Sequence, residues 1–356
     1  VLRRGMSGKF RSRSEFLRVQ ESFMASCLQR GYEAQFASSI WKQIESFAGY
    51  AFSKGHSASY AVESYQSLYL KAHYPLAYLT ACINNFGGYY RTEIYVHEAR
   101  RFGAQIEAPC INEGAYSCVL KEKRLILGFN LVAGLEIQIS DKISAERNTN
   151  GHFIDFEDLL KRVAIPLEQL CILIRVDALR CFKQPRKALL WQAHFYHHKQ
   201  RYTNAKQELF EVKQKKQHLP ELEEHPLEIT FEQFELLGFP LCDPFSLLAQ
   251  PLPSSFISAD DFPKYTHQYI HTFGYLVSIK QTKTNKGDTM CFGTFLDPSG
   301  DFLDTVHFPQ ITAHYPFYGK GVYRITGKIT EEFSYFTLEV ATLEKLAFAE
   351  DVRLAL

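Results

Sequence analysis

The stretch that decides the fold is FGYLVSIKQTKTNKGDTMCFGTFLDPSG, residues 273–300. In it, two runs of alternating apolar and polar residues flank an Asn-Lys-Gly turn. Because successive side chains of a strand point to opposite faces, the alternation predicts a β-hairpin. The same pattern continues, and the predicted strands are 271–281, 289–296, 302–308, 322–329 and 334–343. Five strands, with a short helical interval at 309–315 between the third and fourth, are the sequence outline of an OB-fold barrel.

The residues before this region show mostly helical periodicity. Apolar residues recur at helical spacing over 14–48, with a break at Gly31, and predict two helices. A Gly- and Ser-rich connector, 48–60, leads to an amphipathic helix that stops at Pro75. Further helices are predicted at 76–86, 137–146, 156–162, 167–174, 186–198 and 231–237, with short strands within 104–129. The predicted fold class is multidomain α+β, with a mostly helical N-terminal two thirds followed by a C-terminal five-stranded OB-fold β-barrel.

The composition is that of a globular chain with many aromatic side chains. Of 356 residues, 46% are hydrophobic and 22% are charged, which excludes wholesale disorder. The formal net charge is only +1, so any nucleic-acid surface has to be local. The 29 Phe and 20 Tyr residues can serve as core, as stacking platforms for bases, or as both.

The sequence carries no sign of export or membrane insertion. The basic opening VLRRGMSGKFRSRSEF has no apolar run behind it, and no segment approaches the roughly 20 apolar residues of a membrane span. The 8 Cys residues include no C-x-x-C pair, which indicates reduced thiols rather than a zinc ribbon or disulfides. We therefore expect a cytoplasmic protein with no membrane partner. Because the chain begins with Val inside a basic segment, we expect it to be a piece of a longer protein.

Two basic segments are candidates for contact with phosphate. The first contains the adjacent pair Arg3 and Arg4, and the second contains Lys54 and His56 just before a predicted helix start. Free backbone N–H groups at a helix N-terminus, with a Lys and a His nearby, suit an anion. The alternatives are that the first segment is a solvated charged surface and that the serines after His56 simply cap the helix.

The same residues carry a resemblance to a known family. LRRGMSGK at 2–9 and FAGYAFSKGHSASYAVESYQSLYLKAHYP at 47–75 resemble the fingers region of the alpha subunit of bacterial DNA polymerase III, a C-family replicative polymerase. The resemblance implies that Arg3, Arg4, Lys54 and His56 face the triphosphate of a deoxynucleoside triphosphate. It also implies that the Mg²⁺-binding aspartates lie in a palm domain outside this chain. We therefore expect no catalytic or metal-binding residue here, and no polymerase activity from the chain alone.

The region after the fingers resembles tandem helix-hairpin-helix elements, which hold a phosphate backbone through glycine-rich hairpins. The stretch LILGFNLVAGLEIQISDKI keeps Gly128 and Gly134, but Glu136 stands where a second hairpin glycine is usual. The later stretch IRVDALRCF has no hairpin glycine. Glycine lets backbone amides approach phosphate, whereas a carboxylate repels it. A structural role for these degenerate hairpins is therefore as well supported as DNA binding.

The polar linker that follows contains one apolar island, AKQELFEV, at 205–212. It resembles the family's sliding-clamp motif, with Leu209 and Phe210 as apolar anchors. Lys206 occupies the expected Gln position, and Gln207 comes one residue late. Two apolar side chains on a flexible segment can insert into a preformed groove, so we expect these four residues to contact the clamp.

The predicted barrel suggests a site for single-stranded DNA. An OB fold binds single strands by stacking the bases on aromatic side chains and contacting the phosphates with Lys and Arg. The candidate DNA-binding residues are Lys280, Lys283, Lys286, Phe292, Phe308 and Tyr323, with Phe333 or Tyr335 as further platforms. Alternation requires about half of these aromatics to point into the core, and the sequence leaves open which ones. His194 and His198 have a zinc-like spacing, but no third ligand follows them, so we predict no metal site.

The predicted domains are the end of the fingers (1–86), the degenerate helix-hairpin-helix region (87–198), a linker with the clamp motif and a short helix (199–262), and the OB fold (263–356). Together they predict the C-terminal portion of a DNA polymerase III alpha subunit, a nucleotidyltransferase in the bacterial cytoplasm and nucleoid. Its expected partners are primer-template and single-stranded DNA, deoxynucleoside triphosphates, the sliding clamp and other replisome subunits. The alternative is a stand-alone single-stranded nucleic-acid-binding or scaffold module.

Overall fold

The structure is a computed structural model that describes residues 13–48, 54–203, 224–253, 255–284 and 287–354. The chain divides into two compact units, with the boundary between Pro75 and Leu76.

The first unit consists of three helices. They are α1 (Arg13–Gln29), α2 (Ala34–Ala48) and α3 (Lys54–His73). α1 and α2 pack as a hairpin, in which Phe23 and the buried Trp41 have ring centroids 5.4 Å apart. The turn between them requires a glycine, because Gly31 has a φ of +83°. The helix that the sequence placed after residue 60 begins at Lys54 instead, and the Ser59 hydroxyl donates to the Gly55 carbonyl inside it.

The helical part of the second unit surrounds one hydrophobic core. Its helices are α4 (Pro75–Asn84), α5 (Thr92–Arg101), α6 (Ile137–Asn150), α7 (Phe156–Arg162), α8 (Leu167–Arg175), α9 (Arg186–Thr203) and α10 (Pro226–Leu237). Between α5 and α6 lies a small sheet of β1 (Gln105–Glu107), β2 (Val119–Lys121) and β3 (Arg124–Ile126), in the order β1-β3-β2. Leu236 and Leu237 of α10 are buried in the same core, so the chain returns to the helical part after the linker.

The C-terminal part is a closed five-stranded barrel, which confirms the predicted OB fold. Its elements are β4 (Tyr269–Lys283), β5 (Thr289–Leu296), β6 (Phe302–His307), α11 (Pro309–His314), β7 (Val322–Glu332) and β8 (Tyr335–Lys345). The strand order around the barrel is β4-β5-β6-β8-β7, with β6 and β8 parallel and the other pairs antiparallel. Phe295, Ile325 and Leu338 lie fully buried in its core.

Helix α5 fastens the helical part to the barrel. Its Val96 and Ala99 belong to the helical core, whereas its Ile94 packs in a cluster with Tyr275 and Val322 on the outside of the barrel. Polar contacts accompany this packing. Lys320 pairs with Glu93 and Arg101 with Asp301, both at 2.6 Å, and the His97 ring lies 3.0 Å from the Gly300 carbonyl.

The described helices include none long and apolar enough to cross a membrane. All 8 cysteines are free thiols.

Candidate nucleic-acid interface

The outer face of β5 and β6 presents an exposed surface on the barrel. Side chains alternate along both strands, so that Phe295 and Leu303 point into the core while Phe292, Thr294 and Asp304 point outward. The register pairs Thr294 with Asp304 and Phe292 with Val306. The ring of Phe292 is 40% exposed. This is the face on which OB folds bind oligonucleotides, between the loop that joins strands one and two and the loop that joins strands four and five.

The β7–β8 turn carries two further exposed aromatic side chains, and one of them, Tyr335, contacts this face. Phe333 is fully exposed, and Phe333 and Ser334 both have positive φ angles, of 52° and 65°. Tyr335 is 59% exposed, and its hydroxyl donates to the Asp304 carboxylate. That hydrogen bond raises the pKa of Tyr335 to about 12, because the carboxylate favours the neutral phenol. Asp304 also accepts a hydrogen bond of 2.7 Å from Thr294, so the carboxylate fixes the position of Tyr335 on the strand pair.

The predicted lysines are distributed around the β4–β5 hairpin. Lys280 is exposed and pairs directly with Phe292, so the cation and the aromatic ring share the outer face. Lys283 is also exposed, but it lies three residues further along β4, and alternation places it on the opposite face of the strand. Lys286 lies outside the described residues.

The expectation for Tyr323 was wrong. Tyr323 is completely buried in the barrel core, where its ring lies 5.8 Å from that of Phe295. Its hydroxyl donates to the Gly319 carbonyl and accepts from the Tyr318 amide. A ring enclosed in this way offers no face to a base. Phe308, in contrast, is 44% exposed at the N-terminal end of α11.

Sequence reasoning missed two aromatic residues beside this face, Tyr89 and Tyr90. They lie in the loop between α4 and α5, far from the barrel in sequence. The Tyr90 ring stacks on Phe302 of β6 with centroids 6.4 Å apart and an interplanar angle of 26°. Tyr89 is 78% exposed and meets Tyr90 edge to face at 5.1 Å. The adjacent Tyr-Tyr pair after two glycines was visible in the sequence, but its proximity to β6 was not.

The first predicted hairpin has its backbone satisfied by a protein side chain. The buried Gln169 of α8 accepts a 2.8 Å hydrogen bond from the Glu136 amide and donates one of 3.0 Å to the Gly134 carbonyl. Gly134 has a φ of +76°, which explains the glycine without a phosphate. Because Gln169 already occupies the Glu136 amide, these contacts support the structural role that the sequence left open.

The second hairpin carries Asp177 in a glycine-like conformation. Asp177 has a φ of +69° and is half-buried. Its burial raises the pKa of its carboxyl, although Arg180 and Arg186 oppose the shift. A carboxylate at this point repels a phosphate, and the Glu136 carboxylate does the same in the first hairpin.

The candidate nucleotide-binding and clamp-binding residues are only partly described. Arg3, Arg4 and the clamp motif Lys206, Gln207, Leu209 and Phe210 lie outside the described residues. Lys54 is the first residue of α3, and the exposed His56 lies in its first turn. No group of three or more His, Cys, Asp or Glu side chains is arranged to hold a metal ion within the described part of the chain.

Comparisons with known proteins place this geometry in context. A helix-hairpin-helix motif model matches residues 103–189. The chain is 32% identical over 180 residues to "Error-prone DNA polymerase 3" of Agrobacterium fabrum, which covers 48% of this chain and 16% of that protein. It is 30% identical over 164 residues to "DNA polymerase III subunit alpha" of Borreliella burgdorferi, covering 46% of this chain and 14% of that protein.

A third relative extends the match over most of the chain. The identity to an "Error-prone DNA polymerase" of Bdellovibrio bacteriovorus is 25% over an alignment of 333 residues, which covers 87% of this chain and 31% of that protein. The three matches, with the helix-hairpin-helix motif and the barrel, confirm a resemblance to C-family DNA polymerases. More particularly, the similarity is to the DNA polymerase III alpha subunit and its error-prone relatives. The chain spans less than a third of the length of these relatives.

Proposed function

We propose that this chain is the DNA-holding portion of a C-family DNA-directed DNA polymerase, and that its barrel binds the single-stranded template. The observation that carries the proposal is the similarity to an error-prone DNA polymerase that covers 87% of this chain and therefore extends over residues of both the helical part and the barrel. Within the chain, the outer face of β5 and β6 is the surface best suited to a single strand, because it combines exposed aromatic rings with an adjacent lysine.

Phe292, Tyr335 and Phe333 supply the rings on which bases stack, and Lys280 supplies positive charge beside Phe292. Asp304 lies between the rings and repels phosphate. We therefore expect bases to face the strands and phosphates to follow the rim near Lys280. Because the net charge of the chain is only +1, few phosphate contacts are expected.

Titration of the full chain with labelled oligothymidylate at several salt concentrations tests this function. If about three phosphates are neutralised, log K falls with log salt at a slope near 2, from about 0.7 per contact on single strands. Phe292→Ala is expected to weaken binding by at least fivefold, since stacking is worth about 1 to 3 kcal/mol per base. Tyr269→Ala is the matched control, because Tyr269 is 71% exposed on the same barrel but lies on the β4–β7 side. Absence of binding at low salt would leave the barrel as a structural or protein-docking domain.

We further propose that Arg3, Arg4, Lys54 and His56 contact the nucleotide triphosphate in the intact polymerase, where Mg²⁺ is held by residues of the palm. The Arg and Lys side chains and the first turn of α3 would bind and orient phosphate oxygens. Arg3→Ala and Arg4→Ala are expected to raise the nucleotide KM or lower kcat/KM, since a charge-assisted bond is worth about 1.5 to 3 kcal/mol. Unchanged nucleotide kinetics in both variants would contradict the assignment.

We also propose that Lys206, Gln207, Leu209 and Phe210 contact the sliding clamp. Burying Leu209 and Phe210 contributes about 1.5 to 3 kcal/mol per side chain. The double variant Leu209→Ala/Phe210→Ala is therefore expected to lose at least tenfold in clamp affinity, and equal affinities would contradict the proposal. A polymerase with these partners works with other replisome subunits in the bacterial cytoplasm and nucleoid.

An activity measurement distinguishes the polymerase from the alternative, a stand-alone single-strand-binding or scaffold module. If the residues of this chain only position substrates for a palm, the purified chain extends no primer with Mg²⁺ and nucleotides. Joined to a palm-containing segment of a polymerase, it is expected to support extension, and Arg3→Ala to reduce it. A stand-alone module would give no extension in either arrangement.

A further inference from the structure

The loop between α4 and α5, which we call the tyrosine loop (residues 87–91), is packed against Tyr95. Gly88 has a φ of +100°, and a Cβ at this position would collide with the Tyr95 ring. The Tyr90 amide donates a 3.4 Å hydrogen bond to the Tyr95 hydroxyl. The glycine and Tyr95 therefore determine how Tyr89 and Tyr90 project from the loop.

The tyrosine loop is also fixed against the barrel. Tyr90 stacks on Phe302, and just after the loop Glu93 forms a 2.6 Å ion pair with Lys320. Ile94 is buried against the outside of the barrel. Burial and the neighbouring Asp304 raise the pKa of Tyr90, which agrees with the position of its hydroxyl beside the β6 face. The loop thus extends the barrel surface although it belongs to the helical part.

The aromatic rings lie at both ends of the β5–β6 face, with Asp304 between them. Phe302, Asp304 and Val306 occupy every second position of β6 and share its outer face. In the strand register, Val306 pairs with Phe292 of β5. Four residues along a strand span about 13 Å, so Phe302 and Phe292 lie at the two ends of the face. Tyr90 stacks on Phe302, and Tyr89 meets Tyr90 edge to face, so these contacts add a further ring at the Phe302 end of the face.

We propose that Tyr89 is a base-stacking residue and that the tyrosine loop lengthens the single-strand site of the barrel by at least one nucleotide. The inference rests on the proposed binding of single-stranded DNA by the β5–β6 face. Tyr89 is more exposed than Phe292 or Tyr335, and the contacts of the loop with Tyr95 and Phe302 reduce the conformational freedom lost when its ring binds a base. Arg91 is exposed two residues away and provides positive charge for the phosphate of the added nucleotide.

Single-stranded nucleic acid is the occupant that this chemistry favours. A row of separated aromatic rings, continuous with the oligonucleotide-binding face of an OB fold, matches successive bases. The exposed cations lie at its two ends, Lys280 beside Phe292 and Arg91 beside Tyr89. Asp304, between these two ends, repels phosphates from the strands, so that the bases rather than the phosphates contact the rings.

The test uses the full chain and oligonucleotides that carry 2-aminopurine at one position at a time, since stacking on an aromatic ring quenches its fluorescence. Wild type is expected to quench a run of positions, and Tyr89→Ala to lose quenching at one end of that run only. Tyr89→Ala is also expected to weaken binding about 5- to 100-fold. Tyr89→Phe retains the ring and is expected to restore both properties.

Three further variants make the outcome decisive. Tyr269→Ala is the control for loss of an exposed tyrosine on the barrel and is expected to change neither measurement. Gly88→Ala displaces the loop without removing Tyr89 and is expected to reproduce the loss of end quenching. Phe292→Ala is expected to abolish quenching at the opposite end.

The possible failures are distinguishable. If wild type binds but Tyr89→Ala retains its affinity and its full quenching pattern, the inference is wrong and the barrel interface stands. If wild type binds no single-stranded DNA at low salt, the proposed interface fails and the inference with it.

Discussion

Acid is expected to destabilise the barrel through His307, which is completely buried beneath the β5–β6 face. The Thr305 hydroxyl donates to the Gly293 carbonyl at 2.9 Å and lies 2.8 Å from Nε2 of His307. Because the Thr305 proton is already used, Nε2–H of His307 must be the donor in that second contact. Nδ1 has no hydrogen-bond partner among the described residues, so a proton placed on it would be unsatisfied in the core.

Burial lowers the pKa of His307 from 6.5 to about 4. Because the pKa of His307 is lower in the folded than in the unfolded state, the neutral ring contributes stability at pH values above the unfolded-state pKa. That stability is lost as the pH falls from about 6.5 towards 4. Between pH 7 and pH 5 the expected loss in free energy of unfolding is about 2 kcal/mol, and below both values about 3 kcal/mol.

The assay is urea unfolding from pH 4.5 to 8, with a short deuterium pulse at one fixed pH and mass spectrometry of peptides from β6. His307→Gln keeps an amide N–H donor for Thr305 but does not titrate, so its loss of stability on acidification is expected to be smaller by about 2 kcal/mol at pH 5. His314→Gln removes an exposed histidine of α11 and is expected to behave as wild type. Identical pH dependence in wild type and His307→Gln would refute the reasoning.

Two further predictions concern the hairpins. Gln169→Leu leaves the Glu136 amide and the Gly134 carbonyl without their buried partner. We therefore expect the free energy of unfolding in urea to fall by about 2 kcal/mol and the DNA affinity not to rise. Tighter DNA binding would show that the hairpin is a phosphate site blocked by Gln169. Asp177→Gly relieves a positive φ and is expected to add about 1 kcal/mol. The gain in stability should be larger at pH 7 than at pH 3, because the Asp177 carboxyl has a raised pKa and its ionised form destabilises the fold. An equal gain at both pH values would show that the carboxyl does not contribute to the effect.

The barrel was predictable because its pattern is local. Residues 289–296 and 302–307 are short apolar-rich runs bounded by turn residues, and the structure has strands at those positions. Helices such as Phe156–Arg162 likewise follow from apolar spacing within one segment. The start of α3 was missed because Gly55 and the serines nearby resemble a turn, yet they lie inside the helix.

The faces of the strands needed tertiary information. At the start of β7, both Val322 and Tyr323 are buried, because Ile94 covers the outer side of the barrel there. Alternation is therefore invisible at that point, and Tyr323 could not be assigned to the core from its sequence. Tyr90 presents the same difficulty, since its partner Phe302 is more than 200 residues away in the chain.

The closure of the barrel has a consequence for the order of folding. β6 and β8 are joined by only two register pairs, Thr305 with Leu338 and Val306 with Glu339, and this is the single parallel pairing in the barrel. Hairpins β4–β5 and β7–β8 join neighbours in sequence, whereas the β4–β7 and β6–β8 pairings have to bring distant segments together, so barrel closure is expected to be slower than hairpin formation. Tyr335 meets Asp304 only when that pairing has formed. During synthesis the aromatic face is thus completed only after β8 has emerged from the ribosome.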